Sequence, residues 1–299
     1  MTMEELFTLG NLFVSDFLKP TEKPKASSPL KVLLDTNSGL VRLTEVMNKD
    51  LMYGKYWYRS GINQSMKNDL KEIVDNICRV AVIKSGDVWL DIACNDGTLL
   101  EHVKNINSEV KRIGIDPCDD SYIKESSKHA DQIVQNYFTA NCYLNSKFGC
   151  KKAKVVTTIA MFYDLDDPVQ FIKDVHQILD RDGLWVIQMS YTPLMLQQLA
   201  FDNICHEHVF YYSLFNIKPL FEKNGFKIVD CQLNSVNGGS FRIFLQKNDA
   251  LENSFADKPY RDVANFRINS LLAYEKSLNL DKKETWMKFF DKIEHLKEK

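Results

Sequence analysis

The stretch at residues 88–100, VWLDIACNDGTLL, constrains this chain most because it combines a buried strand, a tight turn and a helix start. Its apolar first half suits a strand covered on both faces, as in a parallel sheet. Small residues such as Ala93 and Gly97 let a ligand approach the backbone. N–H groups at a helix start point into the crevice at the strand's carboxyl end, where open α/β sheets bind ligands. We therefore expect a polar ligand site at residues 91–97.

The glycine content of this turn indicates the class of ligand. A dinucleotide site requires the pattern G-x-G-x-x-G, but Ala93 and Asn95 occupy the first two glycine positions, and the turn contains one glycine, Gly97. One strand later, Asp116 ends the apolar run of RIGIDP, and its carboxylate could accept hydrogen bonds from two ribose hydroxyls. The two features disfavour NAD and favour a nucleoside without phosphates.

Together, LDIACNDG and GIDP resemble the first two motifs of the class I S-adenosylmethionine-dependent methyltransferases. The resemblance implies an α/β, Rossmann-like fold, in which helices cover both faces of a seven-stranded sheet. It also implies S-adenosylmethionine as cofactor. The cofactor-binding residues that it implies are Asp91, Ala93, Asn95, Gly97, Asp116, Asn136, Tyr137, Ala160 and Met161. Of these, Asn136 and Tyr137 would meet the adenine, and Ala160 and Met161 would lie under the methionine portion.

The order of the remaining elements follows from apolar runs and turn residues. An amphipathic helix is expected at about 64–82 and the fourth strand of the sheet at 155–164. A turn at 181–183 would lead into the fifth strand at 184–189. The last two strands are expected at 226–230 and 240–245.

The segment FDNICHEHVFYYS at residues 201–213 is the most specific motif of the chain. An F-D-x-I-x-x-E-H run with NGGSFR downstream resembles the nucleotide-sugar C-methyltransferases, and the likeness extends from roughly residue 30 to 250. The resemblance implies methyl transfer to a carbon atom of a nucleotide-linked keto-sugar. It assigns Asn237 and Gly238 to the substrate.

Methylation of carbon requires a carbanion equivalent, which forms when a base removes a proton next to a ketone. We assign His208 as that base, because an imidazole can take a proton near neutral pH. Glu207 would orient the imidazole or a sugar hydroxyl, and either Tyr56 or Tyr58 would donate a hydrogen bond to the enolate oxygen. The family can carry a His after the fourth strand. Here either Tyr163 takes that role on the substrate or the role is absent.

The chain is divided into three segments. Residues 1–62 are expected to form an arm, irregular to about residue 29, and a small β subdomain. Residues 63–248 would form the methyltransferase domain and residues 249–299 one or two helices. Sugar C-methyltransferases carry zinc ligands where this chain has Asp35 and Ser38, and longer members carry a second domain where these helices stand. We expect no metal.

Composition excludes several classes of partner. A net charge of −2 over 299 residues gives no general attraction to nucleic acid, and no apolar run approaches membrane-spanning length. The seven cysteines form no C-x-x-C pair, and the N-terminus lacks a secretory signal. We expect a cytoplasmic monomer or homodimer that acts on a small molecule.

Two alternatives remain at this point. The chain could methylate oxygen or nitrogen of another small molecule, with His208 deprotonating a hydroxyl. It could also be a non-catalytic subunit that binds S-adenosylmethionine, since it departs from the family at the zinc ligands and after residue 248.

Overall fold

The computed structural model describes residues 3–15, 18–24, 26–53 and 57–297. Its strands are β1 (Met3–Phe13), β2 (Ser27–Asp35), β3 (Leu40–Leu43), β4 (Val88–Ile92), β5 (Lys111–Ile115), β6 (Gln132–Val134), β7 (Ala153–Ile159), β8 (Leu179–Ser190), β9 (Phe210–Tyr211), β10 (Phe226–Asn234) and β11 (Ser240–Lys247). Its helices are α1 (Lys49–Tyr53), α2 (Gln64–Val80), α3 (Thr98–Ile106), α4 (Asp120–Ser126), α5 (Ala140–Leu144), α6 (Pro168–Ile178), α7 (Thr192–Gln198), α8 (Leu214–Lys223), α9 (Lys258–Leu278) and α10 (Lys283–Lys297). Among these residues, no helix combines the length and the apolarity needed to cross a bilayer.

A seven-stranded sheet has the strand order β10-β11-β8-β7-β4-β5-β6. Strands β4 to β8 are parallel, and β11 pairs antiparallel with both β8 and β10. This confirms the predicted Rossmann-like sheet. Because β4 lies between β5 and β7, the direction of winding reverses there, and the reversal leaves a crevice at the carboxyl ends of these strands.

Helices cover both faces of the large sheet, as predicted. Side chains alternate along β4, so Trp89 and Leu90 belong to different cores. Trp89 packs in a core that includes Ile73 of α2 and Leu100 of α3. Leu90 packs in the other core, which includes Ile172 of α6. Burial on both faces explains the uninterrupted apolar run that identified this strand.

The fifth strand of the large sheet begins earlier than the sequence predicts. Leu179 already pairs with Ala153, and a shift in register before Val155 accommodates the expected turn residues inside β8. Helix α2 ends at Val80 rather than near residue 82. Ala81 instead has an extended backbone and forms a bridge with Phe255, which ends the helix.

A second, smaller sheet has the order β1-β2-β3-β9. The prediction of an irregular arm is wrong for residues 3–13, which form β1 antiparallel to β2. Among the side chains of β1 only Leu6 is buried. A strand with so little burial does not need alternating apolar and polar residues, so its sequence carries no strand signal. Its main-chain hydrogen bonds depend on β2, which is a tertiary partner that local sequence does not reveal.

Helix α10 covers the small sheet. Trp286 and Phe290 are buried in its core together with Leu34 of β2, and Phe290 stacks on Phe7 with ring centroids 4.3 Å apart. Strand β9 joins the same sheet from the middle of the chain. The core of the small sheet therefore contains residues from all three predicted segments, and the expectation of one or two terminal helices is confirmed by α9 and α10.

Candidate functional site

The turn after β4 has an unusual backbone. Ala93, Asn95 and Gly97 have φ angles of 59°, 51° and 81°. At Gly97 a Cβ atom would come within 2.7 Å of the Ser126 backbone, so both conformation and packing require glycine there. Ala93 and Asn95 line a cavity, whereas Gly97 does not line it and packs against Ser126. Asparagine tolerates the left-handed conformation, which allows it at position 95.

Asp116 follows β5 at the rim of the same crevice. Its Oδ2 accepts a hydrogen bond from the Asn95 N–H at 2.7 Å, and its Oδ1 accepts one from the Cys118 N–H at 2.8 Å. Each carboxylate oxygen has two acceptor positions, so both can still accept a hydroxyl. The carboxylate is thus held rigidly beside the turn, as a grip on a ribose requires.

Asp91 lies at the end of β4 and is buried. Its Oδ1 accepts a hydrogen bond from the Thr157 hydroxyl at 2.7 Å. Burial raises the pKa of Asp91 to about 7, with the charge of Asp116 adding to the effect. Two neighbouring carboxyl groups favour a ligand that is neutral or positive at this point, such as a nucleoside carrying a sulfonium.

The residues that follow β6 and β7 add an aromatic ring and smaller side chains to the cavity lining. Tyr137 lines the cavity, and its hydroxyl donates to Asp50 at 2.9 Å. The neighbouring Asn136 is exposed, accepts a hydrogen bond from the Tyr137 N–H and does not line the cavity. Ala160, with φ of 53°, and Met161 line it after β7.

Residues 57–62, here called the strap, cross the mouth of the crevice. Asn95 Nδ2 donates to the Tyr58 carbonyl at 2.9 Å, and Asn95 Oδ1 accepts from the Ser60 N–H at 3.0 Å. Asp96 accepts from the Gly61 N–H at 2.7 Å. The Tyr58 side chain lines the cavity, and burial raises the pKa of its hydroxyl, which keeps it a hydrogen-bond donor. Tyr56 lies outside the described residues.

His208 lines the same cavity. Its Nδ1 lies 2.8 Å from the Asn203 carbonyl oxygen. A carbonyl can only accept, so Nδ1 carries the proton and Nε2 holds the lone pair. No described residue forms a hydrogen bond with Nε2. Burial lowers the pKa of His208, and this keeps the ring neutral and able to accept a proton.

The two histidines of the motif point to different places. His206 is buried and its Nε2 contacts the Ser28 carbonyl at 3.1 Å, so it joins this loop to β2. Only His208 of the pair lines the cavity. Glu207, between them, also lines it and accepts a hydrogen bond from the Ser15 hydroxyl at 3.4 Å.

Of the residues assigned to the substrate, two lie in the cavity. The ring of Tyr163 lies 4.2 Å from the His208 ring, centroid to centroid. Asn237 lines the cavity with φ of 52°. Gly238 does not line it and instead packs against Ala200, where a Cβ would come within 3.1 Å.

The residues described above as lining a cavity all line the same one, which has a volume of about 810 Å³. Such a volume lies in the range for small-molecule sites. The turn after β4 and His208 both line this cavity. The site can therefore hold a nucleoside cofactor and a second small molecule together.

Sequence reasoning did not single out two groups of this site. The Asn203 carbonyl sets the tautomer of His208, and its side-chain Oδ1 accepts from the Ser190 hydroxyl at 2.9 Å. Asn203 occupies the variable position x of the F-D-x-I pattern. Its backbone carbonyl leaves no signal in a sequence, because every residue has one. Asp164 also lines the cavity.

Among the residues that the structure describes, no group of three or more His, Cys, Asp and Glu side chains could hold a metal ion. At the positions compared with zinc ligands, the Ser38 hydroxyl donates to Asp35 at 2.8 Å within a turn. Independence from zinc stays a prediction of the sequence.

Comparison with known proteins identifies the family. Residues 63–230, more than half of the chain, match the family Methyltransf_23, described as a methyltransferase domain. The chain is also 27% identical over 216 residues to the C-methyltransferase NovU of Streptomyces niveus. That alignment covers 72% of this chain and 51% of NovU, so the chain spans about half the length of this curated relative.

Solved structures were compared as well. The complex of the Haloferax volcanii Trm112 methyltransferase activator with its methyltransferase matches 62% of this chain and 94% of the other, at 11% identity and a TM-score of 0.49. The magnesium protoporphyrin IX methyltransferase of Synechocystis PCC 6803 with bound S-adenosylhomocysteine matches 66% and 91%, at 13% identity and a TM-score of 0.47. On the family match, this chain belongs to the methyltransferase domain family, and its cofactor is S-adenosylmethionine.

Proposed function

We propose that this protein methylates a carbon atom of a nucleotide-linked keto-sugar, with His208 as the base that forms an enolate. The observation that carries the proposal is the unpaired Nε2 of His208, within the described residues, in the cavity that also contains the cofactor turn. The similarity to a C-methyltransferase supports carbon as the acceptor atom.

In this proposal His208 Nε2 takes a proton from the carbon next to the ketone. The electron pair of that C–H bond forms the C=C bond of the enolate, and the carbonyl π electrons move to oxygen. Because Nδ1 already donates to the Asn203 carbonyl, that contact stabilises the imidazolium that results. The proton then leaves His208 to solvent.

Other side chains of the cavity assist His208 in forming the enolate. The Tyr58 hydroxyl donates to the enolate oxygen, with Tyr56 as the alternative donor. Glu207 lines the cavity beside His208 and accepts a hydrogen bond from a sugar hydroxyl. Tyr163 packs on the His208 ring and limits its rotation.

S-adenosylmethionine supplies an electrophilic methyl group when it is bound. The chain's contribution is alignment, since Asp116 and the turn at residues 93–97 hold the nucleoside at one end of the cavity. The enolate carbon forms at the other end, and a fixed approach of two reactants can account for much of a rate enhancement.

The test of this proposal is a pair of histidine variants. His208→Asn is expected to lower turnover of a keto-sugar nucleotide by about 10²–10⁴-fold, because a positioned base contributes that much. Binding of S-adenosylmethionine, measured by calorimetry, should stay within about twofold, since the turn is distant. The matched control His206→Asn removes an imidazole two residues away that does not line the cavity, and it should retain most of the turnover of the folded protein.

Proton exchange separates the proposal from its alternatives. Wild-type protein in deuterated water should exchange the proton next to the ketone, and His208→Asn should not. Methyl transfer to oxygen or nitrogen without this exchange would contradict the proposal. Cofactor binding without any turnover, across a panel of keto-sugar nucleotides, would instead support the non-catalytic alternative.

A further inference from the structure

Asp164 has a buried oxygen that the proposed mechanism does not use. The residue ends the short 3-10 helix Phe162–Asp164 that follows β7, and it lines the cavity. Its Oδ1 is inaccessible to water and forms no hydrogen bond with any described residue. A buried polar atom without a partner is costly, and because Asp164 lines the cavity, a rotation of its side chain would let this oxygen pair with a group that the ligand supplies.

The surroundings of Asp164 favour its neutral form. Burial raises the pKa of Asp164 well above its usual range, the charge of Glu207 adds to this, and a hydrogen bond from Tyr53 opposes it in part. A negative charge on Asp164 would in turn raise the pKa values of the neighbouring Cys205 and Tyr211. None of these four groups is a cation, and burial outweighs the hydrogen bond from Tyr53, so the site favours the protonated carboxyl.

We propose that Asp164 is a hydrogen-bond donor to the ketone oxygen of the acceptor, acting beside the tyrosine donor as the enolate forms. The inference rests on the proposed function. As His208 takes the carbon-bound proton, negative charge moves to the ketone oxygen, and the Asp164 O–H donates to that oxygen while keeping its own proton. An ionised carboxylate at the same place would repel the enolate, whereas a neutral acid stabilises it.

The test compares an amide with a methyl group at position 164. Asp164→Asn keeps an N–H donor of similar size and cannot ionise, whereas Asp164→Ala removes the donor. Loss of one such donor costs about 10²–10³-fold in turnover. We expect that loss in Asp164→Ala and no more than about a tenfold loss in Asp164→Asn. The control Asp262→Ala removes an exposed carboxylate of α9 that does not line the cavity and should leave turnover within about twofold.

A second measurement does not depend on turnover. The infrared difference spectrum between wild type and Asp164→Asn at neutral pH should contain the carbonyl band of a protonated carboxylic acid. The turnover of wild type should also fall at alkaline pH as Asp164 ionises, and Asp164→Asn should lack this decline. Thermal melting of each variant identifies those that are folded.

Separate outcomes overturn the inference and the proposed function. Equal inactivity of folded Asp164→Asn and Asp164→Ala would show that a carboxylate is needed and would overturn the inference, as would the absence of the infrared band. Absence of proton exchange in wild type, with methyl transfer to oxygen, would overturn the proposed function whether or not the band is present.

Discussion

Asp91 couples the electrostatics of the crevice to the stability of the protein. Its carboxyl is buried, and its pKa is about 7 in the folded protein against 3.8 for an unperturbed aspartate. Between these two values the folded protein binds a proton that the unfolded chain does not. Stability is therefore lost as the pH rises through this window, and the full difference amounts to about 4 kcal/mol.

We predict that the free energy of unfolding without ligand decreases by about 2–3 kcal/mol between pH 5 and pH 8. Asp91→Asn, which keeps the hydrogen bond from Thr157 and cannot ionise, should lose that part of the decrease. Urea unfolding at several pH values measures both proteins. Identical pH profiles for wild type and Asp91→Asn would contradict the assignment.

Asp116 is predicted to hold the ribose of S-adenosylmethionine. Hydrogen bonds to a charged group contribute about 1.5–3 kcal/mol each, so Asp116→Ala should weaken cofactor binding at least tenfold in calorimetry. The control is Asp119→Ala, which removes the carboxylate that caps α4 three residues away and lies outside the cavity lining. Unchanged affinity in a folded Asp116→Ala would show that Asp116 does not bind the cofactor. Tighter binding of NAD than of S-adenosylmethionine would contradict the assignment of the cofactor.

At the scale of elements, the strap and the turn after β4 form one unit. Asn95 joins them through two side-chain hydrogen bonds, to the Tyr58 carbonyl and from the Ser60 N–H. The position that is glycine in a dinucleotide site therefore holds a residue that fixes the cover of the crevice. The two hydrogen bonds explain why this turn has asparagine where a dinucleotide site has glycine.

Asn95→Gly keeps the left-handed backbone and removes only these side-chain bonds. We predict faster hydrogen exchange at Ser60 and about a tenfold loss of S-adenosylmethionine affinity, which corresponds to about 1.4 kcal/mol. The control Asn63→Gly removes the capping side chain of α2, which bonds Ser65, and leaves the turn intact. Equal exchange at Ser60 in wild type and Asn95→Gly would contradict the coupling.

At the scale of the whole molecule, α10 holds together the small sheet and the loop that carries His208. Its Trp286 and Phe290 share a core with Ile204, which lies four residues before His208. The loop is joined to β2 through His206 and Ser28. The far C-terminus of the chain thus supports one wall of the cavity.

We predict that Trp286→Ala destabilises the protein by about 3–5 kcal/mol, as for a large aromatic side chain removed from a core. Hydrogen exchange in the loop at residues 204–209 should become faster, while exchange in β4 changes little. The control Phe266→Ala truncates a side chain of α9 that is 71% exposed and should change stability by less than about 0.5 kcal/mol. Unchanged exchange in the loop would show that α10 supports only the small sheet.

Patterns that act over a few residues were readable from the sequence. The buried run before Asp91, the glycine-poor turn and the acid after β5 predicted the large sheet and the position of the crevice, because burial on two faces and tight turns restrict residue types locally. The motif around His208 predicted which loop enters the cavity. Those expectations about the fold are confirmed, while the roles of individual site residues stay predictions.

Contacts between residues that are far apart in the sequence could not be predicted and were found only in the tertiary structure. Strand β1 carries too few buried side chains to show a period, so only β2 makes it a strand. His206 and His208 are of the same residue type and two positions apart, and only the path of the loop separates an anchor from a base. Likewise, Asp164 is buried near Glu207 of this loop only in the folded chain. Burial and the direction of a side chain depend on the whole fold, and a local pattern cannot encode them.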